Sequence, residues 1–252
     1  DTAGTIAEAK LLAKLLDRPN TMIKVPATPE GLPAIEELLF SGISVNVTLL
    51  FSVQAYEEVA QVYIKALQRR VDAGLPVDRI ASVASFFVSR IDSEVDARLE
   101  KLLASEIHDP ARKSMAESLF GKIAIANAKT AYAVYERLFN SPNFAALRAH
   151  GAQVQRLLWA SVGTKNPKYP DTLYIDELIG PDTVSTMPPA TYEAFRDHGS
   201  AQPKLLENLD QARDLIARLE LLGISLDDVT ALLLKQGVAL FAAVIGLILA
   251  GK

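Results

Sequence analysis

One lysine, Lys24, stands in the otherwise uncharged segment Thr21-Met22-Ile23-Lys24-Val25-Pro26-Ala27-Thr28. The segment reads as a short strand stopped by a proline. An ammonium is costly to bury among aliphatic neighbours unless it is paired or loses its proton. A desolvated lysine has a lowered pKa and is more often the free amine. The free amine is the form that adds to a carbonyl to make a Schiff base. A strand-end lysine that snorkels to water fits the same segment, and the segment alone leaves both readings open. A second segment follows, Ser44-Val45-Asn46-Val47-Thr48-Leu49-Leu50-Phe51-Ser52. A strand points Asn46 and Thr48 to one face, and Val45, Val47 and Leu49 to the other. An amide and a hydroxyl backed by aliphatics suit a barrel wall near an active site. A half-exposed strand with both polar groups in water suits the pattern equally.

Residues of this kind need strands and covering helices to hold them. Strand patterning falls on 21–26, 44–50, 80–88, 154–161 and 182–187, about five strands in all. Helical spacing falls on 5–16, 34–40, 55–71, 94–104, 121–138, 144–149, 190–196, 204–222 and 226–248. A loop rich in proline and polar residues follows the strand at 154–161. Alternating apolar strands and helices imply a parallel sheet covered by helices. No proline–glycine linker divides the chain, so residues 1–252 read as a single domain.

Composition narrows the function classes. Half of the 252 residues are hydrophobic, ample for a core. The net charge of −4 comes without a block of like charges, which argues against a nucleic-acid or anionic-membrane partner. Without cysteine there is no disulfide, thiolate nucleophile or cysteine-ligated metal. The three histidines, His108, His150 and His198, are scattered, form no metal-ligand spacing and read as surface or loop residues. The expectation is a soluble, cytoplasmic enzyme. The run 237–251 carries no charge. It is shorter than the ~20 residues a bilayer span needs. It reads first as a buried closing helix, next as an oligomer contact, and last as a membrane anchor.

Taken together, these segments resemble the transaldolase family. The lysine motif Ile23-Lys24-Val25-Pro26-Ala27-Thr28, then Gly31, then Asn46-Val47-Thr48-Leu49-Leu50-Phe51-Ser52, is similar to that family's Schiff-base strand and the strand after it. Ala84-Ser85-Phe86-Phe87-Val88-Ser89-Arg90-Ile91-Asp92 resembles its phosphate-binding strand and loop. Trp159-Ala160-Ser161-Val162-Gly163-Thr164-Lys165-Asn166-Pro167 resembles its next barrel strand. Tyr169-Pro170-Asp171-Thr172-Leu173-Tyr174 is similar to the bacterial branch. The motifs occur in order along nearly the whole chain.

The resemblance implies an α/β fold, a (β/α)8 TIM barrel of class I aldolase type. It implies transfer of a dihydroxyacetone unit between sugar phosphates without metal or cofactor. Lys24 would form the Schiff base, Asn46 would bind a hydroxyl of the three-carbon unit, and Thr48 would orient a proton-shuttling water. Arg90 would grip the substrate phosphate through its planar fork. Ser85 and Ser161 would add hydroxyl donors near that phosphate, and Lys165 would take the place of a second arginine. For Arg90 an ion pair with Asp92 or Glu94, and for Lys165 a solvated loop charge, are the plain structural alternatives. A barrel needs eight strands. The expectation is therefore a partial barrel holding strands four to eight, with no counterpart here of the family's aspartate, asparagine and glutamate on strands one to three. Such an open sheet exposes edges and apolar surface, which favours a homo-oligomer. A fructose-6-phosphate aldolase-like lyase, or an inactive fragment of a transaldolase, is the alternative.

Overall fold

The computed structural model describes residues 1–105 and 109–249, and of 244–249 the backbone alone. His108 lies outside the described residues. In chain order the elements are α1 (Thr2–Leu16), β1 (Ile23–Pro26), α2 (Gly31–Phe40), β2 (Val45–Leu50), α3 (Val53–Asp72), β3 (Ser82–Phe87), α4 (Ser89–Ala104) and α5 (Pro110–Glu117). They continue with α6 (Ile123–Phe139), α7 (Pro142–Ala149), β4 (Arg156–Ala160), α8 (Leu173–Glu177), β5 (Thr183–Ser185), α9 (Pro189–His198), α10 (Leu209–Leu221) and α11 (Leu226–Leu249). The strands are ordered β1-β2-β3-β4-β5, and β2 runs parallel to both β1 and β3. This is the α/β class expected from the alternation of apolar strands and helices.

The chain divides into two compact units. The first holds 1–50, 54–86 and 132–158. Its α3 buries Tyr56, Val59, Ala60, Tyr63, Ala66 and Leu67, a three-and-four spacing that lines one helix face. The Tyr63 hydroxyl donates to the Gln153 carbonyl at 2.7 Å, so a buried phenol is satisfied by backbone. Its counterpart on α2 is Ile35, Leu38 and Leu39, all fully buried. Strand β3 is buried along its whole length, as a parallel strand covered on both faces must be.

The second unit holds 51–53, 87–131 and 159–252. Trp159 donates its indole N–H to Leu178 O at 2.9 Å, and Asn127 donates to Phe51 O at 2.7 Å. Lys129 is buried, with its ammonium on the carbonyls of Lys204 and Glu207 at 3.0 and 3.1 Å. Glu177 lies 3.7 Å from that ammonium and 2.9 Å from Lys204. This knot ties the turn before α10 to α6.

Several elements differ from the sequence expectation. Helix α4 starts at Ser89, not at 94, and Val88 caps it without a side-chain hydrogen bond. The N-cap position holds a valine, so Ser89 falls inside the helix and gives no capping signal before it, which is why the pattern placed Arg90 in a loop. Helix α5 was not expected, although Asp109 caps it on Ala111 N and Pro110 occupies its first position. The loop after β4 contains the short helix α8. The largest correction concerns the uncharged C-terminal run. Of that run, residues 238–243 are exposed, with Leu240 at 51% and Phe241 at 40%, so this part closes no core; the side chains of 244–251 lie outside the described residues. Uniform apolarity gives no face to bury, so the sequence pattern could not place this segment. Among the described residues no helix is long and apolar enough to cross a membrane.

The turn after β1 sets the entry to α2. Gly31 N donates to Thr28 O at 2.8 Å, and a Cβ on Gly31 would meet Pro26 O at 2.2 Å. Backbone cannot yield as a flexible side chain can. Gly31→Ala is therefore expected to cost about 1–3 kcal/mol, read as a lower midpoint in urea unfolding. An unchanged midpoint would show that the turn relaxes freely.

Candidate active site

Of the seven expected site residues, Lys24, Asn46, Thr48 and Ser85 lie in the first unit, and Arg90, Ser161 and Lys165 in the second. In the first unit the backbone ladder assembles the constellation. The parallel register pairs Lys24 with Asn46 and Pro26 with Thr48. Side chains at paired positions leave the same face of the sheet. Asn46 is in turn held by β3: the Ser85 hydroxyl donates to Asn46 Oδ1 at 2.7 Å. With Oδ1 occupied, the Asn46 NH₂ is left to donate to a ligand. Thr48 is buried, and its Oγ1 makes no hydrogen bond among the described residues. Its carbonyl accepts from Ala27 N at 2.8 Å. Just beyond it Leu49 has φ 61°, and the β2–β3 register shifts between Val47 and Leu50. Such an irregularity re-aims side chains next to a site.

Lys24 is exposed, not desolvated as its apolar neighbours suggested. Ile23 and Val25 on the same strand are buried, so the alternation of faces along β1 turns Lys24 to the open side. Ser85 also differs from expectation. Its proton is committed to Asn46, which groups it with the lysine and amide rather than with a phosphate.

In the second unit Arg90 is the second residue of α4, with its guanidinium carbon 5.8 Å from the Phe87 ring centroid. Neither carboxylate named as its structural partner holds it. Glu94 pairs with Arg98 at 2.9 Å, and Asp92 accepts from Tyr174 and from Ala124 N. Ser161 has φ 56°, and its Oγ lies 3.0 Å from Ser89 Oγ. Its carbonyl accepts from Ser89 N at 3.0 Å. The two hydroxyls thus sit together beside the start of the helix bearing Arg90. Lys165 is exposed, and among the described residues no carboxylate pairs with it. Sequence reasoning missed Ser89. Its signal was its place directly before Arg90 in a motif already singled out.

The family description "Transaldolase/Fructose-6-phosphate aldolase" matches residues 1–248. The chain belongs to the transaldolase/fructose-6-phosphate aldolase family. A transaldolase of Frankia alni is 50% identical over 238 residues, 94% of this chain and 62% of that protein. A transaldolase of Acidothermus cellulolyticus is 49% identical over 244 residues, covering 96% and 63%. Transaldolase 1 of Streptomyces avermitilis is 50% identical over 242 residues, covering 96% and 62%. The chain thus spans about 62% of the length of these curated relatives. Within this family member, His150 and His198 are exposed and away from the seven residues above in sequence. His198 pairs with Asp171 and Asp197 at 2.9 and 3.1 Å, which raises its pKa.

Two carboxylates behind Arg90 are buried. Asp92 Oδ1 accepts from Ala124 N at 2.7 Å and Oδ2 from the Tyr174 hydroxyl at 2.8 Å. Asp96 Oδ1 accepts from Gly121 N at 3.2 Å and Oδ2 from the Tyr169 hydroxyl at 2.6 Å. Burial pushes the Asp92 carboxyl up to about 7 from 3.8; its two donors oppose this, and the Asp96 charge adds to it. The folded chain then binds that proton more tightly than the unfolded chain. The resulting stabilisation is full below the unfolded value and is lost as pH rises through about 7. The span amounts to roughly 4 kcal/mol. Wild type is expected to lose melting temperature from pH 5 to pH 8 more steeply than Asp92→Asn. Parallel curves for the two proteins would count against a raised Asp92.

Proposed function

We propose that this chain works as a transaldolase in the cytoplasmic pentose phosphate pathway. The reaction converts sedoheptulose 7-phosphate and glyceraldehyde 3-phosphate into erythrose 4-phosphate and fructose 6-phosphate. The observation that carries this reading is the register of Lys24 with Asn46, with Thr48 two positions further along the same strand. Support comes also from relatives whose printed name is transaldolase. In this reading residues 1–252 supply strands four to eight of a (β/α)8 barrel of class I aldolase type, as one domain. The exposed apolar residues of α1 and α11 favour association into a homo-oligomer.

The free amine of Lys24 adds to the C2 carbonyl of the ketose, and water leaves to give an iminium. The iminium draws the electron pair of the C3–C4 bond as that bond breaks. The C4 hydroxyl proton passes to a water held by Thr48, and the aldose departs. The three-carbon enamine stays on Lys24 until its carbon attacks the acceptor aldehyde, which takes the proton back. Hydrolysis then frees the amine. Asn46 donates its NH₂ to a hydroxyl of the three-carbon unit, because Ser85 holds the other end of its amide. Arg90 binds the terminal phosphate, with Ser161 and Lys165 as further donors.

Borohydride reduction of the protein mixed with fructose 6-phosphate should fix a three-carbon or sugar adduct on Lys24, and Lys24→Ala should abolish it with the fold intact. An adduct on Lys65, Lys122 or Lys165 instead would defeat the assignment. Arg90→Ala should weaken apparent affinity for phosphorylated ketose roughly ten- to a hundredfold. Unchanged affinity in a folded variant would remove Arg90 from the site. Release of free dihydroxyacetone without an acceptor would mark the lyase of the same family.

A further inference from the structure

The two carboxylates behind Arg90 have a feature that packing alone does not explain. Asp92 and Asp96 lie one turn apart on α4, with relative exposures of 1% and 6%. Residues four apart on a helix are neighbours, so two acidic groups share one buried face. Among the described ion pairs no cation meets either of them. Burying carboxylates in this way is costly, and such cost is found where a protein needs short, directed bonds.

Both carboxylates bind the same stretch of chain. Ser161 is joined to the start of α4 through Ser89, by a backbone bond at 3.0 Å and by the hydroxyl pair at 3.0 Å. Tyr169 and Tyr174 are joined to the body of α4 through Asp96 at 2.6 Å and Asp92 at 2.8 Å. Lys165 lies between these anchors, next to a turn in which Asn166 accepts from Lys168 N and Tyr169 N. The far side of Tyr169 is also fitted. Gly121 has φ 67°, and a Cβ there would meet the Tyr169 ring at 2.7 Å, so a glycine is required for the ring to lie where it does. The same glycine gives its N–H to Asp96.

We propose that Asp92 and Asp96 are positioning residues for phosphate binding: through Tyr174 and Tyr169 they hold the segment bearing Ser161 and Lys165 onto the helix whose second residue is Arg90. This rests on the reading of Arg90, Ser161 and Lys165 as phosphate ligands. Neither carboxylate touches the phosphate, and their own charge would repel it at close range. They act by fixing where the hydroxyl and ammonium donors stand relative to the guanidinium, within one unit of the fold. Donors held in place lose less freedom when the ligand binds.

Calorimetric titration with fructose 6-phosphate and with fructose tests this. Wild type should prefer the phosphorylated sugar, and Arg90→Ala should lose that preference. Tyr169→Phe and Asp96→Ala should weaken fructose 6-phosphate binding roughly threefold to tenfold, with fructose binding unchanged. Asp96→Asn keeps an acceptor for Gly121 N and a donor for the phenol, and should recover most of the loss. Should Asp96→Ala fail to fold, Tyr169→Phe, which removes a single hydroxyl, decides. A folded Tyr169→Phe with wild-type affinity, or one that weakens fructose by the same factor, overturns the proposal. If wild type shows no preference for the phosphorylated sugar, or Arg90→Ala retains it, the phosphate reading itself fails and takes the positioning role with it.

Discussion

The parallel pairing of β1 with β2 sets Lys24 beside Asn46 and Pro26 beside Thr48. Everything proposed for the amine depends on this ladder, because side chains alternate along a strand. A slip of one residue would turn Val25 or Val47 toward the face that now carries the amine and amide, and would send one polar partner into the helices. The slip is blocked by burial: Val25, Val45 and Val47 are at most 1% exposed, so the aliphatic face of each strand has one place to go. Ser85 on β3 extends the same logic by one strand and orients the Asn46 amide.

The second unit solves a different problem. A helix that starts without a capping side chain carries Arg90, and its start is held by backbone bonds from Val88 N and Ser89 N to Ala160 O and Ser161 O at the end of β4. Those bonds alone would leave the following segment held at one end. The phenols of Tyr169 and Tyr174 hold the other end, at the expense of two buried carboxylates. Lys129 performs a similar service for the turn before α10, using an ammonium and three backbone or carboxylate acceptors. Buried charge in this unit is thus concentrated where irregular backbone must be fixed.

Much of the candidate site was legible from residue types. Lys24, Asn46 and Thr48 were singled out because an isolated cation and an alternating amide–hydroxyl pair stand out in apolar strands. Arg90 and Ser161 were singled out through motifs, and their surroundings were not. The Ser85–Asn46 bond joins residues 39 apart in sequence, and the Tyr174–Asp92 bond residues 82 apart. No local period encodes pairs so distant. In the sequence Asp92 stands before the expected helix as an ion-pair partner for Arg90 and Asp96 falls at a helical position; their shared burial on α4 is visible only in the structure.

Sequence by itself determined the α/β class, the five strands and the family, and singled out Lys24 as the candidate amine. The class and the strands follow from local periodicity, the family and the candidate lysine from motifs in order along the chain. Tertiary structure decided the rest. It left Lys24 exposed on an edge strand, turned Ser85 to an amide, started α4 early enough to include Arg90, and left residues 238–243 exposed. Each of these depends on which neighbour lies across the sheet or the helix. A neighbour brought by folding from tens of residues away is invisible to the spacing of the residues it covers.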